Sequence, residues 1–232
     1  MSLTFIAEIG MNHNGNFGLL PELIRQAALS GADIAKFQLG WRDGKDEINR
    51  LTEKELQLIV DSCDFYKIEP MFSIISDKAF DMIKSFDYEF KRYKIASRTV
   101  VDNPELVKKV LKEGKETFVS LGFWKNRELP FPSQPNLKYL YCVSKYPCLP
   151  NELTNLPKNF SDTKYVGYSD HSIGIETVLL SVARGAKVIE KHFTLDKSDT
   201  TIRDHALSAT PNEYFEMVRN ARAIQRLLSI GV

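Results

Sequence analysis

The sequence predicts an α/β protein that folds as a (β/α)8 TIM barrel, and three observations support this fold. Stretches typical of strands and of helices alternate from one end of the chain to the other. Eight strand candidates can be identified, and most of them are followed by a helix, as in a slightly small barrel. No Gly-x-Gly-x-x-Gly sequence follows the first strand, which disfavours the competing fold, an open doubly wound sheet that binds a nucleotide.

The composition is that of a globular protein with a sizeable core. The chain has 232 residues, of which 43% are hydrophobic and 26% are charged. It contains no internal repeat or linker, so we expect one domain, residues 1–232. Its 31 basic residues nearly balance its 30 acidic residues, so no overall charge favours a nucleic acid or a membrane surface as a partner.

Targeting signals are not visible in the sequence. The first residues have no basic region of the kind that opens a signal peptide, and no apolar run approaches the length of a membrane span. The three cysteines form no paired framework, which suggests a reducing compartment. We therefore expect a cytoplasmic protein.

The first half of the chain follows a regular order of strands and helices. Thr52 is the clearest helix start, because Glu55 follows it three positions later in a capping box. Pro104 marks the first turn of another helix. The strands are predicted at residues 3–9, 33–39, 71–75, 93–96 and 117–121, and the helices at 17–29, 53–67, 78–85 and 104–112.

The order changes after the fifth strand. Residues 122–136 contain three prolines and no helical periodicity, so we expect helix five to be reduced or replaced by a loop. The remaining strands are predicted at residues 137–143, 164–168 and 187–191. A helix separates the last two strands, and a final helix covers residues 212–228.

Two histidines follow the last two strands. His171 ends a Ser-Asp-His cluster after strand seven, and His192 follows strand eight. A strand, a helix and a parallel strand form a right-handed unit with both carboxyl ends on one side, so the two imidazoles should face one another. This arrangement favours a divalent-metal site. The alternative is a pair of hydrogen-bonded loop histidines.

Lysines and hydroxyl groups also lie at the strand ends, where a barrel collects its catalytic groups. Lys36 and Lys94 lie within apolar strands, where an unpaired charge is costly, so a function is favoured for both. Lysines with hydroxyls suit a phosphorylated or carboxylated anion, and a metal beside them would polarise a carbonyl group. One lysine could instead form a Schiff base, as in an aldolase. Glu8 and Glu190 are either buried partners of these lysines or functional residues.

Seven short stretches resemble the sialic acid synthase family, the phosphoenolpyruvate-dependent synthases that make N-acetylneuraminate, legionaminate and pseudaminate. The most specific are the Ser-Asp-His motif at residues 169–171 and the Glu-Lys-His-Phe-Thr motif at residues 190–194. The stretches occur in family order and extend over nearly the whole chain. They are residues 7–15, 31–38, 93–97, 146–147, 167–171, 190–194 and 204–208.

The resemblance implies a barrel in which His171 and His192 bind a divalent metal, Mn²⁺ or Mg²⁺. In this reaction, C3 of phosphoenolpyruvate attacks the open-chain aldehyde of an N-acylated aminosugar, water adds at C2 and phosphate leaves. The residues implied to be catalytic are Lys36, Lys94, His171, His192 and Asp204. The residues implied to bind the substrates are Asn12, Asn14, Gln38, Ser97, Ser120, Ser144, Tyr146 and Ser169.

The chain also departs from the family pattern in two substrate positions. The family usually reads Ser-Thr-Pro-Phe where this chain has residues 73–76, so a phosphate-binding hydroxyl is lost and Ile75 stands at that site. The family usually reads Gly-Glu where this chain has Arg98 and Thr99, and that glutamate faces the sugar. These changes imply a shifted substrate or a weakened enzyme.

A third departure concerns the architecture around the barrel. The resemblance covers the barrel domain and does not include the C-terminal antifreeze-like domain that family members commonly have. We therefore expect a homodimer or a separate chain that supplies the lid. A different class of function is a non-catalytic barrel that binds a sugar acid or pairs with an active synthase.

Overall fold

Eight parallel strands close into a barrel in sequence order. The computed structural model describes residues 3–40, 44 and 46–231. Each strand pairs with the next one along the chain, and the eighth pairs with the first to close the barrel. The predicted (β/α)8 TIM barrel is therefore confirmed. The strands are β1 (Thr4–Gly10), β2 (Ile34–Leu39), β3 (Glu69–Ile74), β4 (Arg92–Ile95), β5 (Glu116–Ser120), β6 (Leu137–Cys142), β7 (Tyr165–Asp170) and β8 (Val188–His192).

Helices connect most of the strands. The predicted capping box is present, because the backbone N–H of Thr52 donates to the Glu55 carboxylate at 3.0 Å. The six-residue helix after β4 has no counterpart among the predicted elements. Of the helices that the structure describes, none is both long and apolar enough to cross a membrane. The helices are α1 (Leu20–Leu29), α2 (Glu53–Tyr66), α3 (Asp77–Ser85), α4 (Ser97–Asp102), α5 (Pro104–Lys112), α6 (Glu176–Ala183) and α7 (Pro211–Ser229).

A loop replaces the helix between β5 and β6, as predicted. Residues 121–136, all of which the structure describes, contain turns and no helix. The loop is anchored by Phe131, which is buried. The Tyr139 hydroxyl donates to the Phe131 carbonyl oxygen at 3.1 Å and accepts from its N–H at 3.2 Å. The prolines therefore prevent a helix between β5 and β6. Phe131, through its burial and its hydrogen bonds with Tyr139, helps to fix the loop that replaces this helix.

The side chains inside the barrel form layers. Successive side chains of a strand point to opposite faces, so residues two apart share the interior. An apolar layer consists of Ile6, Ile34, Met71, Phe118, Leu140 and Val188. Two residues further along the same strands lie Glu8, Lys36, Ser73, Ser120, Cys142 and Glu190. The apolar layer therefore closes the barrel directly beneath a layer of side chains that bear functional groups.

Gly167 in β7 leaves no room for a side chain against β8. A Cβ atom at this position would lie 1.8 Å from the carbonyl oxygen of Val188 in β8. Because that neighbour is backbone, no side-chain rotation relieves the contact. Gly167 thereby lets β7 and β8 pair closely next to the strand ends that hold His171 and His192.

We expect the substitution Gly167→Ala to lower the free energy of unfolding by about 3 kcal/mol or more, because the strands must separate to admit the methyl group. Chemical denaturation followed by circular dichroism measures the loss. Gly44→Ala is the matched control, since a Cβ there meets nothing within 4 Å, and it should change stability by no more than about 0.5 kcal/mol. Equal stability of the two variants would contradict the close-approach argument.

Candidate active site

A cavity of about 970 Å³ opens at the carboxyl ends of the strands. All eight strands or the residues directly after them contribute to its wall, and this is the end of a barrel at which active sites form. Most of the predicted site residues meet here. They are Lys36, Gln38, Lys94, Ser97, Ser120, Ser144, Tyr146, Ser169, His171, His192 and Asp204.

Two lysines and two glutamates form an ion network at the floor of the cavity. Lys36 pairs with Glu8, and its Nζ lies 3.6 Å from a carboxylate oxygen of Glu190. The Nζ of Lys94 lies 3.6 Å from the other oxygen of Glu190. All four side chains are buried. The contacts agree with the interpretation of Glu8 and Glu190 as partners of the lysines, because buried ammonium groups need such counter-charges.

Hydrogen bonds from neighbouring strands orient these carboxylates. Gln38 donates to Glu8 at 3.0 Å, and the Ser169 hydroxyl donates to Glu190 at 2.7 Å. The buried hydroxyl of Ser120, in contrast, has no hydrogen-bond partner among the described residues. An unpartnered buried hydroxyl in the wall of a cavity is suited to a ligand, since buried polar groups are normally paired.

The pKa values of Lys36 and Lys94 shift in opposite directions, because burial and the nearby carboxylates differ in strength at the two lysines. Burial opposes the charged form of Lys36, but Glu190 and Glu8 outweigh it and raise the pKa of this lysine. Burial prevails at Lys94 and lowers its pKa, although Glu190 acts in the opposite direction. At Glu190 burial favours the neutral acid, but Lys36 and Lys94 outweigh it and lower the pKa to about 2. Glu190 is therefore ionised at neutral pH.

The two predicted histidines lie side by side at the mouth of the cavity. The ring centroids of His171 and His192 are 5.3 Å apart. The Nδ1 of His171 lies 2.8 Å from the carbonyl oxygen of Val143, which favours an N–H at that position and leaves Nε2 with its lone pair. Tyr146 packs on the His171 ring, with centroids 4.1 Å apart. The expectation that the two imidazoles face the same space is met.

The donor set fits a divalent metal. The buried Nδ1 of His192 has no hydrogen-bond partner among the described residues, and it lies 3.8 Å from a carboxylate oxygen of Asp204. Burial lowers the pKa of His192 to about 3, so the imidazole is neutral, as a metal ligand must be. Within the described ranges, no group of three or more histidine, cysteine, aspartate or glutamate side chains is arranged to hold a metal ion, so the protein ligands here would be the two histidines alone. An ion held by the two histidines would therefore keep positions open for substrate.

A buried ion pair holds the two histidine-bearing strand ends together. Asp170, next to His171, accepts a hydrogen bond from Lys191, next to His192, at 2.7 Å. Asp170 also accepts from the Tyr168 hydroxyl at 2.7 Å. Burial opposes ionisation of Asp170, but Lys191 outweighs it and lowers the pKa of the carboxyl group. The pair therefore positions both imidazoles without entering the cavity.

Asn12 and Asn14 are the predicted substrate-binding residues that the structure places outside the cavity wall. Asn12 donates to the Phe193 carbonyl oxygen at 2.9 Å and to the Ser208 hydroxyl at 3.1 Å. Asn14 donates to Asp199 and accepts from His205, whose Nε2 lies 2.9 Å away. Both side chains help to fix the loop after β8, and their contact with substrate stays a prediction.

The two substrate positions that depart from the family pattern differ in placement. Ile75 lines the cavity with apolar surface, whereas Ile74, which stands at the threonine of the family's Ser-Thr-Pro-Phe, is buried at the end of β3 and is not part of the wall. Thr99 is buried in α4, away from the cavity wall, and its neighbour Arg98 lines the wall instead. Of the two residues that replace Gly-Glu, Arg98 therefore changes the chemistry of the cavity, and Thr99 does not reach it.

Two further residues of the wall were not among the predicted site residues. Cys142 lies beneath the histidines, with its Sγ 3.7 Å from the Nδ1 of His171. Cys142 is two residues after Leu140, which faces the barrel interior, and this spacing predicts that Cys142 faces the interior as well. Arg203 reaches the wall from the loop after β8, and its guanidinium carbon lies 4.5 Å from the Tyr146 ring centroid. No local pattern marks Arg203, because the contact joins residues far apart in the chain.

The fold is a (β/α)8 barrel, and one cavity at the carboxyl ends of its strands holds lysines, hydroxyl groups and a histidine pair. Comparisons with known proteins agree. The model of the NeuB family matches residues 45–232. The uncharacterized protein MJ1065 of Methanocaldococcus jannaschii is 37% identical over 97% of this chain and 72% of its own length. The N,N'-diacetyllegionaminic acid synthase of Campylobacter jejuni is 31% identical over 98% of this chain and 78% of its own length.

A solved structure resembles the whole described barrel. The crystal structure of N-acetylneuraminic acid (sialic acid) synthetase from Leptospira borgpetersenii, in complex with citrate, superimposes with a TM-score of 0.83 at 27% identity. The match covers 100% of this chain and 87% of that one. The chain belongs to the NeuB family. The expectation of a sialic acid synthase-like enzyme is thereby confirmed.

We expect Asp170→Asn to lower the free energy of unfolding by about 3–5 kcal/mol, because Lys191 keeps its charge in a buried site without a counter-ion. Urea denaturation of the purified variant measures the change. The control is Glu113→Gln, which breaks the exposed Lys84–Glu113 pair of 2.9 Å and should cost no more than about 1 kcal/mol. A cost at Asp170 as small as that of the control would show that the pair does not hold the strand ends.

Proposed function

We propose that the protein condenses phosphoenolpyruvate with the aldehyde of an N-acylated aminosugar, or a related aldehyde, in a metal-dependent reaction. The products are a nonulosonate-type 2-keto acid and phosphate. The observation that carries this proposal is the presence, in one cavity, of a lysine and hydroxyl layer and a histidine pair. The relatives named as a legionaminic acid synthase and a sialic acid synthetase support a condensation of this type.

The floor of the cavity suits phosphoenolpyruvate. Lys36 and Lys94 present ammonium groups to its anionic oxygens, and the unpartnered Ser120 hydroxyl can donate to them. The Ser97 hydroxyl lies in the same wall, where it accepts from the Gly122 N–H at 2.9 Å. Glu190 keeps both lysines near one another while it leaves their remaining N–H groups for the substrate.

The reaction balances with water as the third reactant. C3 of phosphoenolpyruvate bonds to the aldehyde carbon, and the aldehyde oxygen takes up a proton. The oxygen of water adds at C2, and the bond between C2 and the phosphate oxygen breaks to leave a ketone. Asp204 lies in the wall beside His192, where its carboxylate can accept a hydrogen bond from a hydroxyl group of the acceptor. A divalent ion held by His171 and His192 would supply Lewis-acid polarisation of the aldehyde.

Purified protein with Mn²⁺, phosphoenolpyruvate and a panel of N-acylated aminosugars should release phosphate only when an acceptor is present. A coupled phosphate assay and mass spectrometry of the 2-keto acid follow the reaction. Metal and phosphoenolpyruvate that bind while no acceptor in a broad panel reacts would count against the synthase. Calorimetry that detects neither ligand would support the non-catalytic barrel.

We expect His171→Ala and His192→Ala each to weaken Mn²⁺ binding by about 100-fold or more, since loss of even an outer-shell partner costs 10–100-fold. Turnover should fall together with affinity. Calorimetry measures the binding, and urea denaturation should show that the fold survives, because both histidines lie at strand ends. His205→Gln is the control, as His205 does not line the cavity, and it should keep its metal affinity. Retained affinity in either alanine variant would remove the metal from the proposal.

A Schiff-base aldolase is the second candidate, and one observation favours Lys94 for it. Its pKa is lowered by burial, as a nucleophilic amine requires, whereas the pKa of Lys36 is raised. Borohydride trapping with a carbonyl substrate should add mass to Lys94 if this reading is right. A homodimer or a lid-supplying chain, and a cytoplasmic location, stay predictions.

A further inference from the structure

Positive charge is unevenly distributed in the cavity. The floor holds Lys36 and Lys94 against Glu8 and Glu190, so its charges balance. The rim is different. Among the described residues that line it, three cationic side chains face a single acidic one, and these are Arg98, Lys145, Arg203 and Asp204.

The aromatic contacts place both arginines above the same side of the mouth. The guanidinium carbon of Arg98 lies 4.8 Å from the ring centroid of Phe123, in the loop directly after β5. Arg203 comes from the opposite side of the barrel, after β8, and stacks on Tyr146, directly after β6. β5 and β6 are neighbours. Both guanidinium groups therefore lie over rings that follow neighbouring strands, although their backbones lie on different walls.

The stacking leaves the hydrogen-bonding edges of both arginines available. The ion contacts of Arg98 with Asp102 and of Arg203 with Asp204 are 3.8 and 3.5 Å long, which is too long for strong hydrogen bonds. Lys145, from the loop after β6, adds charge but is paired with Glu152. A guanidinium held flat against a ring presents its fork to solvent, the geometry that binds phosphate and carboxylate groups.

We infer that the acceptor aldehyde is anionic and binds its phosphate or carboxylate group at the rim, on Arg98 and Arg203. This inference rests on the proposed function. The Arg203 ring partner, Tyr146, packs on His171, so an acceptor whose aldehyde lies at the histidine pair has its far end beside the two arginines. An anionic group there would give Arg98 and Arg203 a closer partner than the carboxylates that they contact at 3.8 and 3.5 Å.

The test compares three acceptors that differ in one position: an N-acetylhexosamine, its 6-phosphate ester and its 6-carboxylate. With saturating phosphoenolpyruvate and Mn²⁺, kcat/KM for at least one charged acceptor should exceed that for the neutral sugar about tenfold or more. The ester and the carboxylate distinguish the two sources of negative charge. Activity with the charged acceptor should fall as salt is raised, and activity with the neutral one should not.

The variants Arg98→Gln and Arg203→Gln should each lower kcat/KM for the charged acceptor about tenfold while the value for the neutral sugar changes little. Arg219→Gln is the matched control. Arg219 also lies over a ring, that of Phe215 at 6.0 Å, but it is on α7 and does not line the cavity. A preference for the neutral sugar, or equal losses with all three acceptors, would overturn the inference.

Failure of the proposed function would be seen separately. If no acceptor reacts, calorimetry on the protein saturated with phosphoenolpyruvate still measures binding of the ester, the carboxylate and the neutral sugar. A charged compound that binds at least tenfold more tightly, with the difference lost in Arg98→Gln, supports the rim site without catalysis. Equal binding of all three compounds, or no binding of any, contradicts it.

Discussion

The ion network inside the barrel is the constraint on which the rest of the site depends. Two ammonium groups in apolar strands require carboxylates within a few ångströms, and the barrel supplies them from β1 and β8. Glu190 serves both lysines, so the distance between β2, β4 and β8 is fixed by one side chain. The floor therefore carries two basic and two acidic side chains. The N–H groups of its lysines are held in fixed positions, from which they can donate to an anionic substrate.

A second buried ion pair, formed by Asp170 and Lys191, lies one residue further along β7 and β8. Asp170 and Lys191 join the ends of β7 and β8 outside the cavity, while His171 and His192 point into it. Adjacent residues of a strand face opposite sides, so the pair and the histidines are held by the same backbone. Gly167 completes the arrangement, because it lets the two strands approach closely just before they present the imidazoles.

The rim differs from the floor in origin. Floor residues come from strands, whose pleat places every second side chain inside, whereas rim residues come from loops and, for Arg98, from α4. The loop that replaces helix five provides Phe123, and the loop after β8 provides Arg203. Asn14 and His205 hold that second loop against the loop after β1. The rim therefore consists of segments whose positions the strand pattern does not determine.

The sequence by itself determined the strand order, the absence of helix five, the capping box at Thr52 and the residues that share the cavity. These features follow from local pattern: period-two burial, proline placement and motifs at strand ends. The tertiary structure alone decided that Asn12 and Asn14 hold a loop, that Thr99 is buried while Arg98 reaches the cavity, and that Arg203 lies over Tyr146. The physical reason is that the contacts of these side chains join segments distant in the chain, and only the closed barrel brings them together.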